Sequence, residues 1–501
     1  MKHLIYELCI ALLACSCSII GKSDAKRLKG TNYYISTKGS DSNNGLDAST
    51  PWLTLEKVNS MKFQSGDSIL FCVDEEWKGQ LAPKGSGDSI APIVISSYGQ
   101  GRKPHIAGSG ISGIKAGALL LYNQDYWVVD GLQLSNTPDK LKGDVRFGIL
   151  IRWHDYGTGR SVKIQNCDIF NIAGDNKSRF HGEGILVIAT GKVIPTNYDN
   201  VLIEGCSLKH IDRTGISVWS QWQERGGLNY GAGNIDENYH GTSGAYKAST
   251  NVIVRGNYLE DIGGDGILVS CTDGALIEKN RVYKANQRGT SPNAGIWPHN
   301  SDRTLMQYNE VSHTGFSGDG QGFDIDLLCF DCVSQYNYSH DNAGGSHLIC
   351  SQGDFGKSSR NIIRYNISQN DKRYTFTIAG STDSTYIYNN KIYTNDPETL
   401  GLFTTWMMEG GKPDNTFFHN NIIYYDGKGE NCFADTLNFV ATSNCWFGNN
   451  KSIRITPDQK GSIIADPMFV ALGTGKFGMS TLDGYKLNAQ SPVFKLGFKE
   501  F

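Results

Sequence analysis

Ile277-Glu278-Lys279-Asn280 and Met306-Gln307-Tyr308-Asn309 are two copies of one short pattern, apolar-polar-x-Asn, and its recurrence decides the fold. The pattern returns at Gln335-Tyr336-Asn337, Ile363-Arg364-Tyr365-Asn366, Ile387-Tyr388-Asn389-Asn390 and Phe418-His419-Asn420-Asn421. Upstream it reads Val254-Arg255-Gly256-Asn257. Earlier still Cys stands in the last position, in Ile164-Gln165-Asn166-Cys167 and Ile203-Glu204-Gly205-Cys206. From Asn257 the Asn positions step by 23, 29, 28, 29, 24 and 31 residues. A period in the twenties with strand-like alternation marks a solenoid whose rungs are short strands and turns. Side-chain amides repeated at this spacing can bond the Asn above and below, at a turn that Asn and Gly enter easily.

Each Asn strand is followed by a turn and a second strand that opens with Gly. These second strands are Gly215-Ile216-Ser217-Val218-Trp219, Gly266-Ile267-Leu268-Val269-Ser270, Gly295-Ile296-Trp297-Pro298-His299, Gly322-Phe323-Asp324-Ile325-Asp326 and Gly345-Ser346-His347-Leu348-Ile349. Aligned on the Gly, the first and third positions are mostly apolar and are expected inside, while the second and fourth line an outer face. This predicts an all-β, single-domain right-handed parallel β-helix with an N-terminal cap and loop insertions. The expected boundaries are a leader and tether at 1–21, the cap and first rungs at 31–110, and the β-helix that carries the site at 111–499. Gln221 to Ser249 is a Gly- and Tyr-rich insertion supplying Trp222, Tyr230 and Tyr239, and insertions of this kind map to loops on one face.

Two further stretches carry a family resemblance. Tyr33-Tyr34-Ile35-Ser36-Thr37-Lys38-Gly39-Ser40-Asp41-Ser42-Asn43-Asn44-Gly45, followed by Pro51-Trp52-Leu53-Thr54-Leu55, resembles the opening of the pectate-lyase-like parallel β-helix superfamily. Asp466-Pro467-Met468-Phe469, Gly484-Tyr485-Lys486-Leu487 and Ser491-Pro492 are similar to its C-terminal close. The resemblance spans roughly residues 31 to 499 and implies the fold. The superfamily holds lyases, glycosidases, esterases, epimerases and non-catalytic adhesins, so activity has to be argued from the site.

Composition narrows the partners. The 501 residues carry a formal net charge of −3, with 19% charged and 39% hydrophobic residues, 59 Gly and 24 Tyr. No polybasic surface points to nucleic acid or to an anionic membrane. Lys2 and His3 precede the apolar run Leu4 to Leu13, which is too short to span a bilayer, so the start reads as an export signal. Leu12-Leu13-Ala14-Cys15 resembles a lipoprotein acylation box, with Cys15 as the lipidated residue and Cys17 a second candidate. The expectation is an exported, monomeric cell-envelope protein, an outer-membrane lipoprotein touching the membrane only through its lipid. Of the 12 Cys, Cys329-Phe330-Asp331-Cys332 is a lone CxxC without a second pair or a His pair, so zinc is not expected there. Cys432 and Cys445 are a candidate disulfide.

The outer columns of the second strands define the candidate site. Asp324 and Asp326 share one face of their strand, and Asp319 sits in the Gly-rich turn that feeds it. With coils about 4.8 Å apart, Trp297 is expected below Asp324 and His347 above it, and His299 below Asp326. Trp219 lies farther down the same columns. Crowded carboxylates beside aromatics suit glycoside hydrolysis, in which one acid protonates the leaving oxygen and a second carboxylate attacks or activates water. The mutual repulsion of the acids raises one pKa, as a general acid requires. The catalytic candidates are therefore Asp324, Asp326 and Asp319. The substrate-binding candidates are Trp297, His299, His347, Trp219, Asp265, His340 and Asp341, with Glu183 and His313 as weaker ones.

Some glycosidases of the superfamily use an Asp pair from strand and turn positions, and Asp319 with Asp326 is similar in kind, although no substrate carries over from that likeness. No cofactor is expected for a hydrolase. An alternative is a lyase on a uronate polymer, with Ca²⁺ held by the three Asp residues and Lys372 or Arg373 as the base. A second alternative is a glycan-binding solenoid without chemistry.

Overall fold

The computed structural model describes residues 30–140, 143–177, 180–227, 244–353, 355–433, 438–449 and 460–501. The leader with Cys15, and Tyr230 and Tyr239 of the insertion, lie outside the described residues. Each central coil is built of three strands. In one coil these are Leu276–Glu278, Arg281–Tyr283 and Ile296–His299, and in the next Leu305–Gln307, Glu310–Ser312 and Gln321–Ile325. Equivalent strands of successive coils pair in parallel, and the described residues form three long sheets of sixteen, fourteen and eleven strands. The sequence indicated two strands per coil. The middle one is often only three residues long, as in Arg281–Tyr283, too short for alternation to show.

Inside the coils the predicted columns are present. Ile216, Ile267, Ile296 and Phe323 follow one another in register, all at 0% exposure. Each such burial is worth about 1.5–3 kcal/mol, and one cluster runs from Trp52, Leu55 and Val58 at the N-terminal end to Trp446. The helix Leu55–Ser60, capped by Thr54 accepting from the Lys57 amide at 3.1 Å, buries Leu55 and Val58 over that end. A C-terminal segment with short helical turns at Met479–Tyr485 and Pro492–Leu496 packs beside the coils. Tyr485 donates to Gln369 at 2.8 Å, and Lys391 pairs with Glu500 at 2.7 Å.

One corner is stitched by a ladder of asparagines. Each Asn Nδ2 donates to the next Oδ1, from Asn257 through Asn280, Asn309, Asn337, Asn366, Asn390 and Asn421 to Asn444, at 2.9–3.2 Å. The backbone amide of each donates to the same oxygen, as Asn280 does to Asn309 at 3.0 Å. The left-handed residue of this turn is not the Asn, as expected, but its predecessor: Gly256, Lys279, Tyr308, Tyr336, Tyr365, Asn389 and Asn420 all have φ between 53° and 65°. The Asn is kept for its amide, and the turn strain is carried one residue earlier.

Candidate active site

The strand Gln321–Ile325 lies in the eleven-stranded sheet. The turn leading into it needs glycine, because Gly318 and Gly320 have φ of +101° and +153° and Asp319 is carried between them. Below the strand the predicted register holds. Leu268 pairs with Trp297, Ser270 with His299, Ile296 with Phe323, and His299 bridges Asp326.

Above the strand the register differs by one residue. Gln321 pairs with Gly345, so Phe323 meets His347, Asp324 meets Leu348 and Ile325 meets Ile349. A one-residue slip moves every side chain to the opposite face. His347 therefore points into the core, 2% exposed, with its ring 5.2 Å from that of Phe323 and Nε2 2.9 Å from Ser334 Oγ. It is not a substrate ligand. Burial pulls its pKa down to about 3, keeping the imidazole neutral. In this coil Ser346 occupies the place of Gly322, so a register started on Gly345 sits one residue too early. The residue brought to the outer face beside Asp326 is Cys350, whose Sγ donates to Asp326 Oδ1 at 2.8 Å. A register started on Ser346 brings Cys350 to the position of Asp326.

The three acids are not equivalent. Asp324 is 4% exposed, and its Oδ1 has no hydrogen-bond partner. Burial pushes its pKa well above the usual carboxylate range, and the charges of Asp326 and Asp319 push it further. Asp319 and Asp326 are only partly buried. Oxygens of Asp324 and Asp326 and the Cys350 sulfur lie within 4.8 Å of one another.

The aromatic candidates form a floor for this cluster instead of an open platform. Trp297, His299 and Trp219 are 3%, 1% and 4% exposed. Trp219 stacks on His299 at 4.9 Å, and His299 Nδ1 lies 2.8 Å from Ser270 Oγ. Asp265, 0% exposed, accepts from the Trp297 indole N–H and the Ala294 amide, both at 3.0 Å. It therefore acts on Trp297 and not on substrate. Arg213, absent from the sequence reading, neutralises it at 3.2 Å and donates to Asn293. Glu183 lies buried near Arg213, and burial lifts its pKa to about 8.

His340 and Asp341 belong elsewhere. Tyr338–His340 is a middle strand in the fourteen-stranded sheet, where the sequence suggested a turn. His340 bonds Asp341 at 2.8 Å and Glu310 at 3.1 Å, and Glu310 also accepts from the Gly478 amide at 2.7 Å. These residues anchor the C-terminal segment, so neither is a substrate ligand. Lys372 is paired with Glu398, and Arg373 lies 4.3 Å from the Phe316 ring centre. The base of the insertion is fixed by Arg225, which forks onto Asp302 at 2.9 Å and bonds Asn300. Cys445 donates to the Ala465 carbonyl, and the side chain of Cys432 lies outside the description.

Three parallel sheets wound around a single core define a right-handed parallel β-helix. Comparison with known proteins agrees. The model of the right-handed beta helix region matches residues 147–294. Lacto-N-biosidase of Bifidobacterium longum subsp. longum is 30% identical over 445 residues, covering 73% of this chain and 27% of that protein. The chain thus spans little more than a quarter of the curated relative it matches. The crystal structure of the GH136 lacto-N-biosidase from Eubacterium ramulus superposes with a TM-score of 0.62 at 23% identity, covering 83% of this chain and 68% of that one. The A-module of a mannuronan C-5 epimerase from Azotobacter vinelandii gives 0.54 at 12% identity, covering 75% and 91%. The protein is a right-handed parallel β-helix.

Proposed function

We propose that the protein is a glycoside hydrolase that cleaves an oligosaccharide, with a lacto-N-bioside as the substrate class. The observation that carries this is a buried carboxyl, Asp324, whose pKa burial raises well above the usual range, flanked by two only partly buried carboxyls, Asp319 and Asp326. The substrate class rests on the 30% identical lacto-N-biosidase.

A sugar reaches only the exposed acids, so Asp319 and Asp326 act on the bond and Asp324 supports them from below. The Cys350 thiol donates to Asp326. A hydrogen bond to a carboxylate favours its charged form, which suits Asp326 to attack the anomeric carbon or activate water. Asp319 is left to protonate the leaving oxygen. Holding Asp324 neutral keeps three negative charges from meeting in one place.

The experiment is incubation with a panel of oligosaccharides including lacto-N-biosides, with products separated by mass. Gain of one water marks hydrolysis, and an unsaturated product marks elimination and overturns the proposal. The anomeric form of the released sugar separates direct attack from water activation. The leader belongs to the same proposal: export with acylation at Cys15 places the enzyme in the cell envelope. Incorporation of labelled fatty acid that persists in Cys15→Ser rejects that anchor.

A further inference from the structure

The face that carries the acids also presents a ligand set of a different kind. Asp324 and Asp326 come from one coil and Cys350 from the next, and their oxygen and sulfur atoms lie within 4.8 Å of one another. The Cys350–Asp326 edge is already 2.8 Å. Asp324, 96% buried on its 4% exposure, has its Oδ1 unpartnered. A buried oxygen without a donor is costly, and a bound cation would satisfy it.

We propose that Asp324, Asp326 and Cys350 form a binding site for a thiophilic divalent cation, zinc in the first instance, and that its occupancy switches the carboxylates off. Zinc takes carboxylate oxygen at about 2.0–2.2 Å and thiolate sulfur at about 2.3 Å in tetrahedral geometry. Three protein donors then leave a fourth position for water. A thiolate with few oxygens selects zinc or cadmium over calcium or magnesium, which take six or more oxygens. Binding releases the Cys350 thiol proton and the Asp324 carboxyl proton to solvent, so charge balances without any redox step. The other triad of ligating groups, His313, His340 and Asp341, differs because both ring nitrogens of His340 are already committed to Asp341 and Glu310.

The switching part rests on the hydrolase proposal, while the binding part stands alone. The full-length chain, stripped of metal and kept reduced, is titrated with Cd²⁺ while the sulfur-to-metal charge-transfer absorption is followed, and with Zn²⁺ by calorimetry. The expected result is one ion per chain, with a thiolate band that Cys350→Ser removes and an affinity that Asp324→Asn lowers at least about tenfold. A band unchanged in Cys350→Ser, or no zinc uptake by the wild-type chain, overturns the site. If Cys350→Ser does not fold, Asp324→Asn alone decides, because unchanged affinity there overturns the site. Turnover unaffected by saturating zinc overturns the switch. Zinc binding of the expected kind in a chain that cleaves no glycan removes the hydrolase reading and leaves the site standing.

Discussion

The asparagine corner and the acidic face are two ways of stacking side chains on the same coils. At the corner every coil offers the same group, and each amide oxygen finds its donors in the coil before it. On the acidic face the columns change at every step. Leu268, Trp297, Asp324 and Leu348 follow one another, as do Ser270, His299, Asp326 and Cys350. One oxygen there is left unbonded. Repetition with full hydrogen bonding holds the solenoid together. Where repetition stops and a polar group is left unbonded, the backbone register is being used to aim chemistry.

The largest effect is expected on the acidic face. Asp319→Asn and Asp326→Asn each lower glycan turnover by about 10²–10⁴-fold while leaving the thermal melting curve in place. A normal rate in both variants breaks the contrast between the regions. The corner should respond in the opposite sense. Asn309→Ala removes donors to the Ile277 carbonyl and Asn337 and the acceptor for Asn280. A loss of about 3 kcal/mol in urea unfolding is expected, with kcat per folded molecule retained.

A third test uses pH on the neighbouring sheet. Burial opposes the charged form of His340, but its bonds to Asp341 and Glu310 prevail and lift its pKa to about 9. Its stabilisation is fully present below the unfolded value of about 6.5 and is lost as pH rises through about 9, a change of up to about 3 kcal/mol. His340→Gln should flatten that decline, and an unchanged pH profile refutes the assignment. The smallest effect is expected from Asp324→Asn. With its folded pKa raised, Asp324 favours the fold at low pH and loses that contribution as pH rises through the folded value. The amide lacks this decline, so at neutral pH its melting temperature should equal or slightly exceed that of the wild type.

Much of this was legible in the chain. The Asn period gave the coils, and the Gly-led strands gave the inner columns and the placing of Trp297 and His299 beneath the acids. What stayed hidden has physical reasons. The coil above the acids has Ser346, not Gly, at the place of Gly322, and a start on Gly345 sends His347 outward and hides Cys350. Three-residue strands such as Tyr338–His340 show no alternation, so His340 and Asp341 were drawn to the site. Burial separates Asp324 from Asp319 and Asp326, and it depends on the coils packed above and below, which spacing alone does not report. Arg213 escaped notice because its partner Asp265 is 52 residues away.

The asparagine ladder also sets how such a molecule can change length over evolutionary time. Its links join residues 23 to 31 positions apart, and each needs an acceptor side chain at the same turn of the next coil. Gains and losses that keep the column unbroken therefore come in whole turns of chain, in the way a spiral stair is shortened by a full storey. The spare length falls in the segments between ladder positions. Lineages that add or drop one turn keep a sound shaft, but the turns bearing Asp319 to Cys350 form the one landing that cannot be taken out without losing the doorway.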